Sequence, residues 1–180
     1  MTGPDPRDIV AFWREAGMAR WFARDDAFDA ALRTRYEATH FVAARRGLED
    51  WMATPDGALA LLLLLDQFPR NLFRDSGHAF ATDPLALHYA ARAVDAGHDQ
   101  AFEPSLRAFF YLPWEHSESA PHQARSVALL SALGNAEYTR YAVEHAEVIQ
   151  RFGRFPHRNA ALGRSSTDEE QAWLDAGGGF

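Results

Sequence analysis

Apolar residues recur along most of this chain at three- and four-residue spacing, and long alternating runs are missing, so the pattern predicts helices throughout and an all-α fold. Asp5-Pro6 reads as an N-cap with proline at the first helical position, opening a segment with Ile9, Phe12, Trp13 and Ala16 on one face before Gly17. A second helix starts near Asp25 or Asp26, carries Phe28, Leu32, Tyr36, Thr39 and Ala43 on one side, and has Gly47 as its expected cap. Thr54-Pro55-Asp56 begins a third by the same logic. It runs through the Ala58 to Leu65 stretch, apolar nearly all round and therefore central, until Pro69 is expected to stop it.

Further helices are expected from Asp83-Pro84 to near Gly97, from Pro104 through Phe109 and Phe110 to Pro113, and from Pro121 to Leu133, closed by Gly134. Another runs from about Ala136 to Phe152 with Gly153 as cap. Ser166-x-x-Glu169 and Thr167-x-x-Glu170 are alternative capping boxes for a last short helix ending at Gly177-Gly178-Gly179. About eight helices with short connections imply antiparallel helical hairpins, packed as a bundle or stacked as a superhelix. Phe68-Pro69-Arg70-Asn71 returns with one inserted histidine as Phe155-Pro156-His157-Arg158-Asn159, and this duplicated corner favours stacking.

Composition sharpens the picture. A chain of 180 residues with 47% hydrophobic content buries roughly 70% of its unfolded surface, so one domain over residues 1–180 is expected. The absence of cysteine excludes disulfides, a thiolate nucleophile and Cys-ligated metal sites. All 18 basic residues are arginine, which excludes a Schiff-base lysine and a Walker-type phosphate lysine. A net charge of -7 argues against a nucleic-acid partner. Ala58 to Leu65 falls far short of the roughly 20 residues that span a bilayer, and Met1 to Asp8 has neither the basic nor the apolar region of a secretory leader. A cytoplasmic protein with no membrane partner is expected. Trp13, Trp21 and Trp173 are candidates for an exposed aromatic surface supporting a homodimer, and no cofactor is called for.

Candidate chemistry gathers at the two corners, which hold a third of the arginines. Gln67, Arg70, Asn71 and Arg74 in the first, with Arg151, Arg154, His157, Arg158 and Asn159 in the second, are candidate contacts for an anionic small molecule, because planar guanidinium forks match carboxylate and phosphate. The alternative is that these arginines, with Arg164, staple loops through Asp66, Asp75, Asp83 and Glu118. His145 shares the apolar stripe of Tyr138, Tyr141, Val148 and Phe152, as a core hydrogen-bonder or a site residue. His145, His116 and Glu118 are the candidate proton-moving groups, with Asp66 to orient one of them. His116 and Glu118, read as lying in a loop, lack a third and fourth ligand in any standard pattern, so no metal is assigned. Ser117 has no Gly-x-Ser-x-Gly elbow around it, and Asn71 and Asn159 also suit simple turns.

Leu65-Asp66-Gln67-Phe68-Pro69-Arg70-Asn71, Phe80-Ala81-Thr82-Asp83, Phe110-Tyr111-Leu112-Pro113 with His116-Ser117-Glu118, and Arg151 to Asn159 with Leu162-Gly163-Arg164 together resemble domain-of-unknown-function family 924. The resemblance spans nearly the whole chain and implies an all-α, tetratricopeptide-like fold with no established reaction. It also leads one to expect an arginine near the position of His78. Two functions from different classes are compatible with these residues: an enzyme or small-ligand binder with an Arg/His-rich pocket, or a tetratricopeptide-like protein or peptide interaction module whose Arg, Asp and His residues form a structural ion-pair network.

Overall fold

The computed structural model describes residues 4–180; Met1 to Gly3, part of the stretch read for a leader, lie outside them. Its helices are α1 (Pro6–Ala16), α2 (Met18–Trp21), α3 (Asp26–Ala44), α4 (Pro55–Leu62), α5 (Phe68–Leu72), α6 (Asp83–Asp95), α7 (Pro104–Glu115), α8 (Ala120–Ser131), α9 (Ala136–Phe152) and α10 (Asp168–Asp175). No strand occurs among the described residues, so the fold is all-α. Two compact units are present: residues through Arg74 with His78–Pro113, and Asp75–Gly77 with Trp114–Phe180.

In the first unit the helix starts obey the cap chemistry of the sequence. Asp5 accepts from the Arg7 N–H, Asp25 from those of Ala27 and Phe28, and Thr54 from that of Gly57. Leu59 to Leu65 are all 0–1% exposed, which places this stretch in the core. Trp13 and Trp21 are also buried and pack with Phe28, Phe68 and Phe109. The reading of these two tryptophans as exposed surface is therefore corrected: their ring area fills the core, and the Trp21 indole N–H donates to Trp13 O at 2.7 Å.

Three local expectations change. The left-handed residue after α3 is Arg46, with φ 63°, while the Gly47 N–H bonds Val42 O at 2.9 Å. Pro113 does not end α7, which continues to Glu115; in a last turn proline has little helix left to break, and Trp114 and Glu115, beyond the expected end, are helical.

Pro69 does not stop its helix either. Between α4 and α5 the backbone widens into a π turn, Leu63–Gln67, in which the Phe68 N–H reaches back to Leu63 O. Proline has no N–H to give, so this arrangement leaves carbonyls free. Side chains take them up: His40 Nδ1 donates to Leu64 O at 2.7 Å and Thr82 Oγ1 to Leu65 O at 2.5 Å.

In the second unit α8 and α9 form a helical hairpin joined through Gly134, with Asn135 capping α9 by accepting from the Glu137 and Tyr138 N–H groups. Gly153, at φ 71°, ends α9 with its N–H on Ile149 O. Val148, Ile149 and Phe155 form a core cluster flanked by Phe152 and a half-buried Trp173. Of the two capping boxes, Thr167 with Glu170 is the one formed.

Candidate functional site

Each corner is built inside its own unit. In the first, the Arg70 fork grips Asp83 with two hydrogen bonds of 2.9 and 3.0 Å, lies 3.6 Å from Asp66, and donates to Asp66 O. Burial works against the charge of Arg70, but Asp83 and Asp66 outweigh it and hold the guanidinium protonated. Gln67 Nε2 donates to Asp66 Oδ2 at 2.5 Å. Asn71 and Arg74 converge on Asp29 of α3: Asn71 Nδ2 reaches Oδ1 at 2.7 Å, while Arg74 contacts both oxygens at 2.6 and 3.1 Å. Every candidate at this corner thus has a carboxylate partner, which ties α5 to α3 and to the start of α6.

The second corner has the same character. Arg154 holds Glu170 through hydrogen bonds of 2.6 and 2.8 Å, and Arg164 holds Glu118 through 2.8 and 3.0 Å. Glu118 also accepts from the Phe155 N–H. Burial opposes its charge, yet Arg164 and that N–H keep its carboxyl below the usual range. Glu170 is brought down to about 2 by Arg154, the Thr167 N–H and Asn159. Asn159 joins the two pairs, donating to Ser166 Oγ and Glu170 and accepting from Arg164 Nε. Arg151 pairs with Glu169 at the surface.

A different group surrounds His145. The residue is 7% exposed, and its Nδ1 donates to Tyr141 O at 2.8 Å with Glu115 Oε1 3.8 Å away. The last turn of α7 supplies Glu115, itself 4% exposed, and Gln123 Nε2 secures that turn by donating to Glu115 O. With the proton on Nδ1, Nε2 is the unprotonated nitrogen. Burial pushes the pKa of His145 down to about 3, assisted by His116, His157 and Arg158, whose charges oppose its protonation. The His116 ring lies 6.4 Å from that of His145, Phe155 meets it edge-on at 5.6 Å, and Phe180 stacks on it at 3.6 Å. Arg158, 6% exposed, lies over Phe155 at 4.5 Å.

His116, His145, His157 and Arg158 are therefore brought together in the second unit, whereas Glu118 and Arg154 serve ion pairs. Sequence reasoning missed Glu115, whose signal was a carboxylate beside a candidate histidine, and Phe180, for which there was no local signal. It also missed a histidine pair in the first unit, His40 with His78, inside an aromatic cluster with Phe41 and Phe73. His78, where an arginine was expected, is the outer member of that pair.

A family model described as a bacterial protein of unknown function (DUF924) matches residues 9–178. Among solved structures, the protein of unknown function ATU0120 from Agrobacterium tumefaciens is similar at 48% identity and a TM-score of 0.92, covering 95% of this chain and 97% of that one. No curated protein matches.

Proposed function

Because the chain belongs to the bacterial family of unknown function DUF924, its membership brings no reaction with it, and we propose that the second unit binds a small anionic molecule at His145. The observation that supports this reading is a buried, neutral imidazole with its Nδ1 proton anchored, its other nitrogen an acceptor, and cationic or imidazole side chains nearby. A neutral His145 accepts a hydrogen bond from a ligand hydroxyl or amine, with Glu115 behind Nδ1 keeping the ring oriented. His116, His157 and Arg158 favour negative charge on the ligand. Under this reading Asp66, Gln67, Arg70, Asn71 and Arg74, together with Glu118, Arg151, Arg154 and Asn159, hold the scaffold that positions the site.

The test is an NMR titration with inorganic phosphate and acetate, following the imidazole signals of His145. Saturable shifts that vanish in His145→Gln support the site. Unshifted signals, or equal binding by the variant, would sink it.

The carboxylate partners of Arg70, Arg74, Arg154 and Arg164 favour a second reading, in which a tetratricopeptide-like stack with stapled corners presents a surface to a protein or peptide. A stoichiometric partner whose binding survives His145→Ala would favour it over the first.

A further inference from the structure

The segment after α10 follows a path set by its glycines. Gly177 and Gly179 take φ of 87° and 143°, conformations that L side chains rarely adopt. Gly178 lies so close to Trp173 that an added Cβ would come within 2.3–2.6 Å of the indole ring. Its N–H bonds Trp173 O at 2.9 Å, and that of Gly177 bonds Leu174 O at 2.9 Å. An open hollow of about 330 Å³ is lined by this segment together with residues of α9 and α10.

Three aromatic side chains line the hollow: Phe152, Trp173 and Phe180. Phe152 and Trp173 meet at 5.6 Å with planes 57° apart, which makes an angled corner of two rings. Phe180 stacks on His145 with planes 15° apart yet is 52% exposed, so ring surface is left over. The charged residues of the lining are Glu144, Glu147 and Arg151. Glu144 is paired with Arg140 at 2.8 Å, and Arg151 with Glu169 at 2.8 Å. Glu147 is exposed and has no ion-pair partner among the described residues. The balance is one uncompensated negative charge beside aromatic rings.

Both features select for a cation, because a ring face carries the negative end of its quadrupole. The lining already shows such a contact: the Arg151 guanidinium lies over Phe152 at 4.7 Å. A primary ammonium brings three N–H donors that each want an acceptor, and it holds its water strongly. An alkylated ammonium has no such requirement and presents methyl groups to the rings. We propose that the hollow binds a small quaternary ammonium ion, with Trp173 and Phe180 as its aromatic contacts and Glu147 as its counter-charge. This site does not depend on an anion at His145.

The test is an NMR titration that follows the Trp173 indole N–H and the Phe152 ring. The probes are choline and 3,3-dimethylbutan-1-ol, which has the same shape without the charge. Choline is expected to give saturable shifts, with the neutral alcohol about five- to thirtyfold weaker. Glu147→Gln, a change at an exposed position, weakens choline by about two- to fivefold and leaves the alcohol unchanged. Phe180→Ala, also at an exposed position, weakens choline as well. Equal binding of the two probes would make the hollow a plain apolar surface and overturn the proposal. Absence of saturable shifts with choline, or choline affinity unaltered in both variants, would overturn it too. Phosphate and acetate binding is read on the His145 imidazole signals, so the two sites stand or fall separately.

Discussion

The Nε2 atoms of His40 and His78 lie 3.1 Å apart, joined by a hydrogen bond whose direction is settled at one end. His40 commits its Nδ1 proton to Leu64 O, and burial pushes its pKa below the usual range, so its Nε2 is an acceptor and His78 is the donor. Replacing His78 by alanine leaves a fully buried acceptor on His40 without that donor, at an expected cost of about 1–3 kcal/mol in urea unfolding. His78→Gln, whose amide donates, should recover part of the loss. Equal stability of the alanine variant and wild type would refute the assignment.

Arg70 stands between Asp66, 1% exposed, and Asp83, 14% exposed. Arg70→Met removes the guanidinium that both carboxylates share and is expected to cost about 3–5 kcal/mol by chemical denaturation. Arg7, whose pair with Asp5 is open to solvent, provides the contrast: Arg7→Ala should produce no measurable loss.

Helical glycines are usually improved by alanine, by about 1 kcal/mol. Gly57 is expected to behave oppositely. A Cβ there would lie 2.1 Å from Trp51 O, a backbone atom that cannot swing aside, and 2.9 Å from the capping Thr54 Oγ1. Gly57→Ala should destabilise by about 1–3 kcal/mol, readable as a lowered thermal midpoint.

The features legible in the sequence were those decided within one turn of chain. Asp5, Asp25, Thr54, Asn135 and Thr167 each accept from an N–H two or three residues on, so composition and order suffice to announce a helix start. The π turn was not legible, because the groups that satisfy its carbonyls come from His40 and Thr82, 24 and 17 residues away. The arginines of the corners stood out, but a guanidinium looks the same whether it awaits a ligand or a carboxylate. Arg74 finds Asp29 across 45 residues, and Arg154 finds Glu170 on a helix still to come. His145 was visible as a polar residue on an apolar stripe; the phenyl ring above it depends on the conformation of three glycines.

Acid should act in two windows. His145 has a folded pKa of about 3 against an ordinary 6.5, so the unfolded state binds the proton first. Its contribution to stability is intact above pH 6.5 and declines as pH falls toward 3, by at most about 1.4 kcal/mol per pH unit. Glu170, held near 2 against an ordinary 4.5, contributes above pH 4.5 and loses that contribution as pH falls toward 2. Unfolding free energies measured from pH 7.5 to 3 should slope less in His145→Gln than in wild type, with the divergence beginning near 6.5. Parallel profiles would contradict the burial of a neutral imidazole.

The π turn at Leu63–Gln67 also sets the rotational phase of α5. One residue beyond regular α-helical count rotates the downstream segment by about 100° and advances it by about 1.5 Å. With that residue present, Arg70 faces Asp83 while Asn71 and Arg74 face Asp29. Removing one leucine from this run would leave its hydrophobicity intact and turn all three side chains away from their partners. In this stretch the number of leucines carries as much information as their chemistry.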